Sequence, residues 1–570
     1  MATATDNVSS NTLLEYFILN SVFDTLTQIL ADPSSRGEHG HEAILLLCIL
    51  INYRKNEIQN PYLLKMSILD DELALNGLGL IISEILSTCN RKFALRRKKE
   101  EPSGSLLTSI TSFVGSMFVS TESTGVSLSS ENDGILLALY EAVLTNRNFF
   151  TVLGHIMSRD KDVSENTVSS HVIERTAPVP SNSTLEEETM DETQSGNLMA
   201  TFLRFSSISI QDSKTENGAD TSRLCFTILN CIVEDHYANA FLHDANMTFT
   251  VPIYKMVIKY YSCSLSYHDA NMTFTVPIYK MVIKYYSRSL SYHDANMTFT
   301  VPIYKMNLYH RKVGLEIPNS KPLACVLLDL MVEFIVTHMM KMFPIALYRR
   351  CIGIIHRCLC YQKRCRIRLQ YSWKHLWTAL MNLLKFVNTN ESYLIPKYNI
   401  FELAVQIVNI LNLFITYGDT FLPSPGSYDE LYYEIIRVHQ IFDNLYTLAL
   451  RYISSDVSEL KSSATKLSSC LVNVRAIIHH FTPKIDAWST ENGKTSLSED
   501  EVLEVIRGNY ETLTLKLMEG LDSYSKYSEH PTETPFFSQL IRKIIQRIRD
   551  CINIKDLQQL SVLKEFSTIS

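Results

Sequence analysis

An all-α solenoid of stacked helical units is what this sequence predicts, and three observations predict it. Apolar residues recur at helical spacing along most of the chain, broken by short polar turns. Strand-like alternation is scarce. With 570 residues and 46% hydrophobic content, the chain carries enough apolar material for several cores or one long array. One amphipathic helix is expected over 11–31, where Leu14, Phe17, Ile18, Val22, Leu26 and Ile29 share a face and Asp32-Pro33 stops the run.

The same spacing predicts helices over 41–53, 71–89, 105–118, 132–157, 197–211 and 222–240. It resumes at 323–341, 344–361, 371–388, 399–416, 428–453, 456–481, 499–527 and 535–549. Gly418 and Pro423 mark a stop and a restart. Ser498 and Glu501 form a capping box, in which each side chain satisfies an orphan amide near the other. Residues 158–196 hold acidic and Ser/Thr/Pro-rich runs with almost no large apolar side chain, so they cannot bury enough to fold and read as a disordered internal linker. The expected organisation is an N-terminal helical block (1–157), the linker (158–196), further helices of the array (197–242), an inserted segment (243–320) and a C-terminal helical domain (321–570). Short connections between the helices suggest an armadillo/HEAT-like stack, although the letters show no clean period.

The inserted segment is a repeat. Residues 243–267 recur at 268–292 with Cys263 replaced by Arg288, and the copy restarts at 293 as far as Met306. Stacking repeats keep their core positions and let solvent positions drift. Here Lys255, Lys280 and Lys305 match as faithfully as Phe249, Phe274 and Phe299. The segment therefore reads as a tandem copy or a gene-model error, not as an architectural period. An irregular excursion between about 244 and 320 is expected, with Pro252 limiting its weak edge-strand signal.

Net charge is −7 and the sequence pI is about 6.2, so no global basic field draws the chain to nucleic acid. The twelve cysteines form neither a disulfide framework nor a zinc ribbon. Cys351 and Cys358 fall on one helix face with Ile352, Ile355 and Leu359, which favours core thiols over a metal site for the group that also includes Cys360 and Cys365. The most apolar run, 323–343, contains Asp329, Glu333, His338 and Lys341, each costly in a bilayer, and reads as a buried helix. The opening MATATDNVSSNTLLEYF lacks a basic region followed by an apolar run, which favours a cytosolic chain.

No phosphate loop, paired-histidine zinc motif, nucleophile elbow or kinase signature is present, so neither catalysis nor a cofactor is expected. Asp329 and Glu333, one turn apart with His338 beyond, offer an acid/base pair whose plainer reading is a polar stripe. Asp429, Glu430 and Glu434 beside Tyr428, Tyr432 and Tyr433 make an acidic aromatic helix start, where acids suit the helix dipole. Lys363, Arg364, Arg366 and Arg368 interleave with Tyr361, Tyr371 and Trp373, a pattern able to grip RNA or lipid phosphates, with a solvated helix junction as the alternative. In 105–118, Leu106, Leu107, Ile110, Phe113, Val114, Met117 and Phe118 share one face opposite uncharged Ser, Thr and Gly. That face suits either lipid-packing defects or an ordinary core, and Arg96, Arg97, Lys98 and Lys99 upstream suit anionic headgroups.

Several long stretches carry a family resemblance: NYRKNEIQNPY (52–62), ALYEAVLTNRNF (138–149), LMVEFIVTHMMKMFP (330–344), MNLLKF (381–386), FITYGDTFLPSPGSYDELYYEIIR (414–437) and LKEFSTIS (563–570). They resemble the armadillo-like helical domain-containing protein 3 family over nearly the whole chain outside the linker and the repeat. The resemblance implies a non-catalytic helical scaffold of the cytoplasm, peripheral on the cytosolic face of the Golgi membrane. It also implies binding to phosphatidylinositol 4-kinase beta, action with the large Golgi Arf guanine-nucleotide exchange factor, and a role in Golgi maintenance, phosphoinositide supply and protein secretion. The family's kinase-contacting Phe-Leu-His triplet matches Phe241, Leu242 and His243, so the insertion starts at the partner site. Family members carry helices ahead of the point matching this start, so a truncated or alternative start and an exposed apolar face on the first helices are expected. The competing reading is an RNA- or cargo-binding solenoid using 361–373; under the family reading no nucleic acid is expected.

Overall fold

The computed structural model describes residues 12–20, 22–55, 60–100, 132–153, 197–211, 216–263, 306–316, 320–339, 343–455 and 458–551. The N-terminal block contains α1 (Thr12–Asn20), α2 (Phe23–Ala31), α3 (Pro33–Asn52), α4 (Pro61–Ile68), α5 (Glu72–Glu100) and α6 (Asp133–Thr145). Then come α7 (Leu198–Gln211), α8 (Glu216–Ile232) and α9 (His236–His243), followed by strands β1 (Ile253–Cys263) and β2 (Met306–Glu316). The array resumes with α10 (Leu323–Thr337), α11 (Ile345–Cys365), α12 (Trp373–Thr389), the short α13 (Glu391–Leu394) and α14 (Ile400–Phe421). It closes with α15 (Gly426–Arg437), α16 (His439–Ile453), α17 (Ser458–Cys470), α18 (Val472–Glu491), α19 (Glu499–Arg507) and α20 (Thr534–Cys551). The fold is an all-α armadillo-like helical solenoid.

Local chemistry sets many of these boundaries. The Asp32-Pro33 stop is also a start: the Asp32 carboxylate accepts the Ser35 amide at 2.7 Å, and Pro33 sits at the first helical position, where no amide is needed. Buried Asn60 serves two helices at once. Its Oδ1 accepts the amides of Tyr62 and Leu63 that open α4, while Nδ2 donates to the carbonyls of Leu50, Ile51 and Tyr53 that end α3. The capping box of Ser498 and Glu501 forms as its spacing predicts. Gly77 lets α5 cross the end of α2 closely, since a Cβ there would lie 1.9 Å from the Leu30 carbonyl oxygen.

The described chain divides into two units, Met1–Tyr254 with Glu316–Ser570, and Lys255–Leu315. In the first, each helix packs on neighbours along the array: α7 on α5, α8 and α10; α11 on α8 and α14; α14 on α17; and α15 on α18 and α19. One hydrophobic cluster runs through it from Phe23 to Ile545. Strands β1 and β2 form a two-stranded sheet, most of which belongs to the second unit.

Several boundaries correct the sequence reading, beginning with the single helix expected over 11–31, which is two: α1 ends at Asn20 and α2 starts at Phe23. The helix expected over 499–527 ends at Arg507, and 508–530 contains neither helix nor strand. The 428–453 helix breaks at Val438, the 456–481 helix breaks at Leu471, and 222–240 divides at a turn over 233–235 capped by Asp235. The helix expected over 132–157 ends at Thr145, with one further turn at 149–153. Gly418 does not stop α14, which runs on to Phe421. The excursion at 244–320 is ordered at its ends: Phe249 and Lys321 form an antiparallel bridge, and β1 pairs with β2. The amphipathic 105–118 segment, the 158–196 linker and 264–305 of the repeat lie outside the described residues.

Candidate functional site

Helix α9 carries the expected Phe241-Leu242-His243 triplet and uses its three side chains differently. Asp235 opens the helix by accepting the Ala238 amide at 2.8 Å. Ala238, Asn239 and Leu242 face inward, with Leu242 only 1% exposed. His243 is buried as well: its Nδ1 lies 2.9 Å from the Asn239 carbonyl oxygen and its Nε2 lies 3.2 Å from Gln362 Nε2. A carbonyl can only accept, so Nδ1 bears the proton and Nε2 accepts from Gln362. Burial pulls the imidazole down to about 4, against the raising effect of the Asn239 carbonyl, so the ring is neutral near pH 7.

The outward side of α9 is formed by His236, Tyr237, Ala240 and half-buried Phe241. Tyr237 is 56% exposed. The Phe241 ring leans on Phe249 with centroids 6.1 Å apart, and His236 meets Tyr361 of α11 at 5.8 Å. Sequence reasoning singled out the triplet and not Tyr237, which shares a face with Phe241 at one-turn spacing.

The basic aromatic patch is split by the fold. Lys363 Nζ pairs with Asp522 at 2.5 Å and lies over the Tyr417 ring, while Arg368 donates to the carbonyls of Asp419 and Leu422. Trp373 is buried, its ring against Phe414 and Phe421. Arg364 and Arg366 are exposed, and among the described residues their side chains make no hydrogen bond or ion pair. Arg366 ends α11 in the left-handed region at φ 54°.

Three of the acidic candidates, Asp329, Asp429 and Glu434, are engaged within the fold. Asp329 pairs with Lys321, and His338 is buried against Phe334. Asp429 accepts from Arg507 Nε at 2.8 Å and from the Tyr510 hydroxyl at 2.6 Å, and Glu434 accepts from Arg437 at 2.5 Å. The two Asp429 contacts hold α15 to α19 and to the chain beyond it. Burial pushes the thiols of Cys358 and Cys360 up to about 12, and Cys365 is exposed. Among the described residues, no group of three or more His, Cys, Asp or Glu side chains is arranged to hold a metal ion. Two helical stretches, Glu72–Leu95 and Ile400–Phe421, are long and apolar enough to cross a membrane by length and composition, and more than half of the most apolar part of each is buried in the array. The proposed membrane-contact residues, Leu106 to Phe118, lie outside the described residues.

A strap over 508–530 was not expected. Asn473 grips its backbone at both atoms of Lys516, Nδ2 donating to the carbonyl and Oδ1 accepting the amide, each at 2.8 Å. His356 Nε2 meets the Leu521 carbonyl at 2.6 Å, and Arg357 reaches the Ser525 carbonyl at 3.0 Å. Further on, Glu529 pairs with Lys55, which also pairs with Glu141, while Glu533 pairs with Arg223 and Arg350. Helix α20 then packs on α6, where Phe537 stacks on Tyr140 at 4.9 Å and Lys543 and Arg547 pair with Asp220 and Asp133. The strap therefore ties the end of the array to helices far earlier in the sequence. Its signal lay in TLTLKL over 512–517, whose alternation suits extended chain.

Comparison with known proteins places these features in a family. A family model described as "Armadillo-like helical domain-containing protein 3, C-terminal" matches residues 321–550, from the bridge residue Lys321 almost to the end of α20. The protein of Danio rerio named Armadillo-like helical domain-containing protein 3 is 46% identical over 578 residues, covering 100% of this chain and 76% of the relative. Those of Homo sapiens and Xenopus laevis are 46% identical over 579 and 581 residues, with the same coverage. These relatives are named for a helical domain and not for a catalytic activity. No solved structure matches. This chain belongs to the armadillo-like helical domain-containing protein 3 family.

Proposed function

We propose that this chain is a non-enzymatic scaffold, peripheral on the cytosolic face of the Golgi membrane, that docks phosphatidylinositol 4-kinase beta on the outward face of α9. Through that contact it supports phosphoinositide supply, and it acts with the large Golgi Arf guanine-nucleotide exchange factor in Golgi maintenance and secretion. The observation that carries the reading is the division of labour in α9. Tyr237 and the edge of Phe241 are available to a partner, whereas Leu242 and His243 fix the helix to the array. Large aromatic side chains on a rigid support are what interface anchors use, because little conformational entropy is lost on binding. Resemblance of Phe241, Leu242 and His243 to the family's kinase-contacting triplet supports the same face, with Phe241 as the direct contact and its two neighbours as supports.

Co-purification of the kinase with the full chain tests the reading. Tyr237→Ala with Phe241→Ala abolishes capture while helicity stays as in the parent chain. Undiminished capture by the double variant removes α9 as the docking face.

A further inference from the structure

We propose that Arg364 and Arg366 form a cationic edge of the α9 surface and recognise an acidic protein segment that also carries an apolar anchor. This rests on the reading of α9 as the docking face and adds the chemistry of the segment that docks there. At about 100° per residue, His236, Ala240, Tyr237 and Phe241 follow one another around the outside of α9 over an arc of about 140°. One limit of that arc is apolar, where Phe241 meets Phe249. At the other, His236 touches Tyr361, and Arg364 and Arg366 follow on the same chain within about one and a half helical turns.

The two arginines differ from the neighbouring cations in that, among the described residues, neither makes a hydrogen bond or ion pair, although Arg364 adds its charge to that of Lys363 beside Asp522. Lys363 is held by Asp522, Arg357 by Glu234 at 2.6 Å, and Arg368 by two carbonyls. Of the acids nearby, Glu234 is taken by Arg357, Asp522 by Lys363, and Asp235 accepts the Ala238 amide. A guanidinium offers planar paired donors that match a carboxylate, so two of them suit a short acidic run. An RNA track needs a longer series of phosphate contacts and faces for base stacking, whereas Lys363 and Arg368 are engaged and Trp373 is buried.

The test titrates the full chain with three probes: purified phosphatidylinositol 4-kinase beta, a fluorescein-labelled peptide of alternating glutamate and leucine, and a labelled single-stranded RNA. R364E/R366E is expected to weaken kinase and peptide binding at least about tenfold, and R364Q/R366Q to weaken both by less, with parent binding falling as salt rises. Thermal melting of both variants stays at the parent value, because neither side chain holds the fold. Parent-like kinase and peptide binding by R364E/R366E overturns the inference and leaves the α9 reading standing. A parent chain that ignores the kinase but binds the peptide through these arginines overturns the α9 reading alone. RNA binding tighter than peptide binding and lost in R364E/R366E overturns the inference in favour of nucleic acid. Failure of the parent to bind any probe overturns it outright.

Discussion

Lys55, in the turn after α3, donates from Nζ to Glu529 Oε2 at 2.8 Å, across 474 positions of sequence. The same ammonium reaches both oxygens of Glu141 at 2.7 and 2.8 Å, and Glu141 is almost wholly buried. Burial alone would lower the lysine, but the two carboxylates outweigh it and hold Lys55 above its ordinary value. One cation thus joins α6 to the strap, and two acids depend on it.

Removing that cation leaves two carboxylates in a poorly solvated site. Lys55→Met is expected to destabilise the array by about 3–5 kcal/mol, the usual cost of breaking a buried ion pair from one side. Glu529→Gln removes one acid and keeps a hydrogen-bonding group, so its loss is smaller. Chemical denaturation of the two variants against the parent reads the order, and equal midpoints for all three contradict it.

The sequence made the helices legible and hid the strap, for physical reasons. Helices such as α10, α11 and α14 bury a wide apolar stripe, and that stripe is a local, periodic signal. The strap buries little, with Leu521 its buried apolar side chain, and it is held by polar groups from far away: Asn473, His356, Arg357 and Lys55. No local period encodes such partners. The breaks at Val438 and Leu471 were equally silent, since neither contains Gly or Pro and the apolar spacing continues through both. At the candidate site, the letters of the triplet were readable, but its division into one half-buried and two buried side chains depends on α10 and α11.

That division predicts two different kinds of variant. Leu242→Ala costs about 2–5 kcal/mol, as for a core leucine, and lowers the melting temperature. Phe241→Ala costs less, because the side chain is only half-buried, and its main effect is on kinase capture. Melting curves and capture assays on the same preparations separate them. A thermally neutral Leu242→Ala contradicts the packing described.

Two glycines predict opposite signs. Gly37 lies on the exposed side of α3 with nothing within 4 Å of an added Cβ, so Gly37→Ala gains about 0.5–1 kcal/mol from reduced chain entropy. Gly77→Ala meets the Leu30 carbonyl and forces α2 from α5, costing about 1–3 kcal/mol or more. Differential melting of the pair checks both, and a stabilised Gly77→Ala rules out the close crossing.

His243 predicts a pH dependence. Burial lowers its folded-state pKa to about 4 from an ordinary value of 6.5, so below pH 6.5 the unfolded chain binds the proton first. The stability it contributes is complete above pH 6.5 and is lost as pH falls toward 4, by about 3 kcal/mol. His243→Gln keeps a polar group near Gln362 and cannot titrate there. Denaturation midpoints over pH 7 to 4 fall less steeply in the variant, whereas parallel curves place the acid sensitivity elsewhere.

Hydrogen–deuterium exchange on the full chain, with and without phosphatidylinositol 4-kinase beta, tests the docking account most directly. The kinase is expected to slow exchange in peptides covering 236–243 and the end of α11 at 361–367, leaving α17 and α18 unchanged. Unaltered exchange across 236–243 in a demonstrably formed complex contradicts the account.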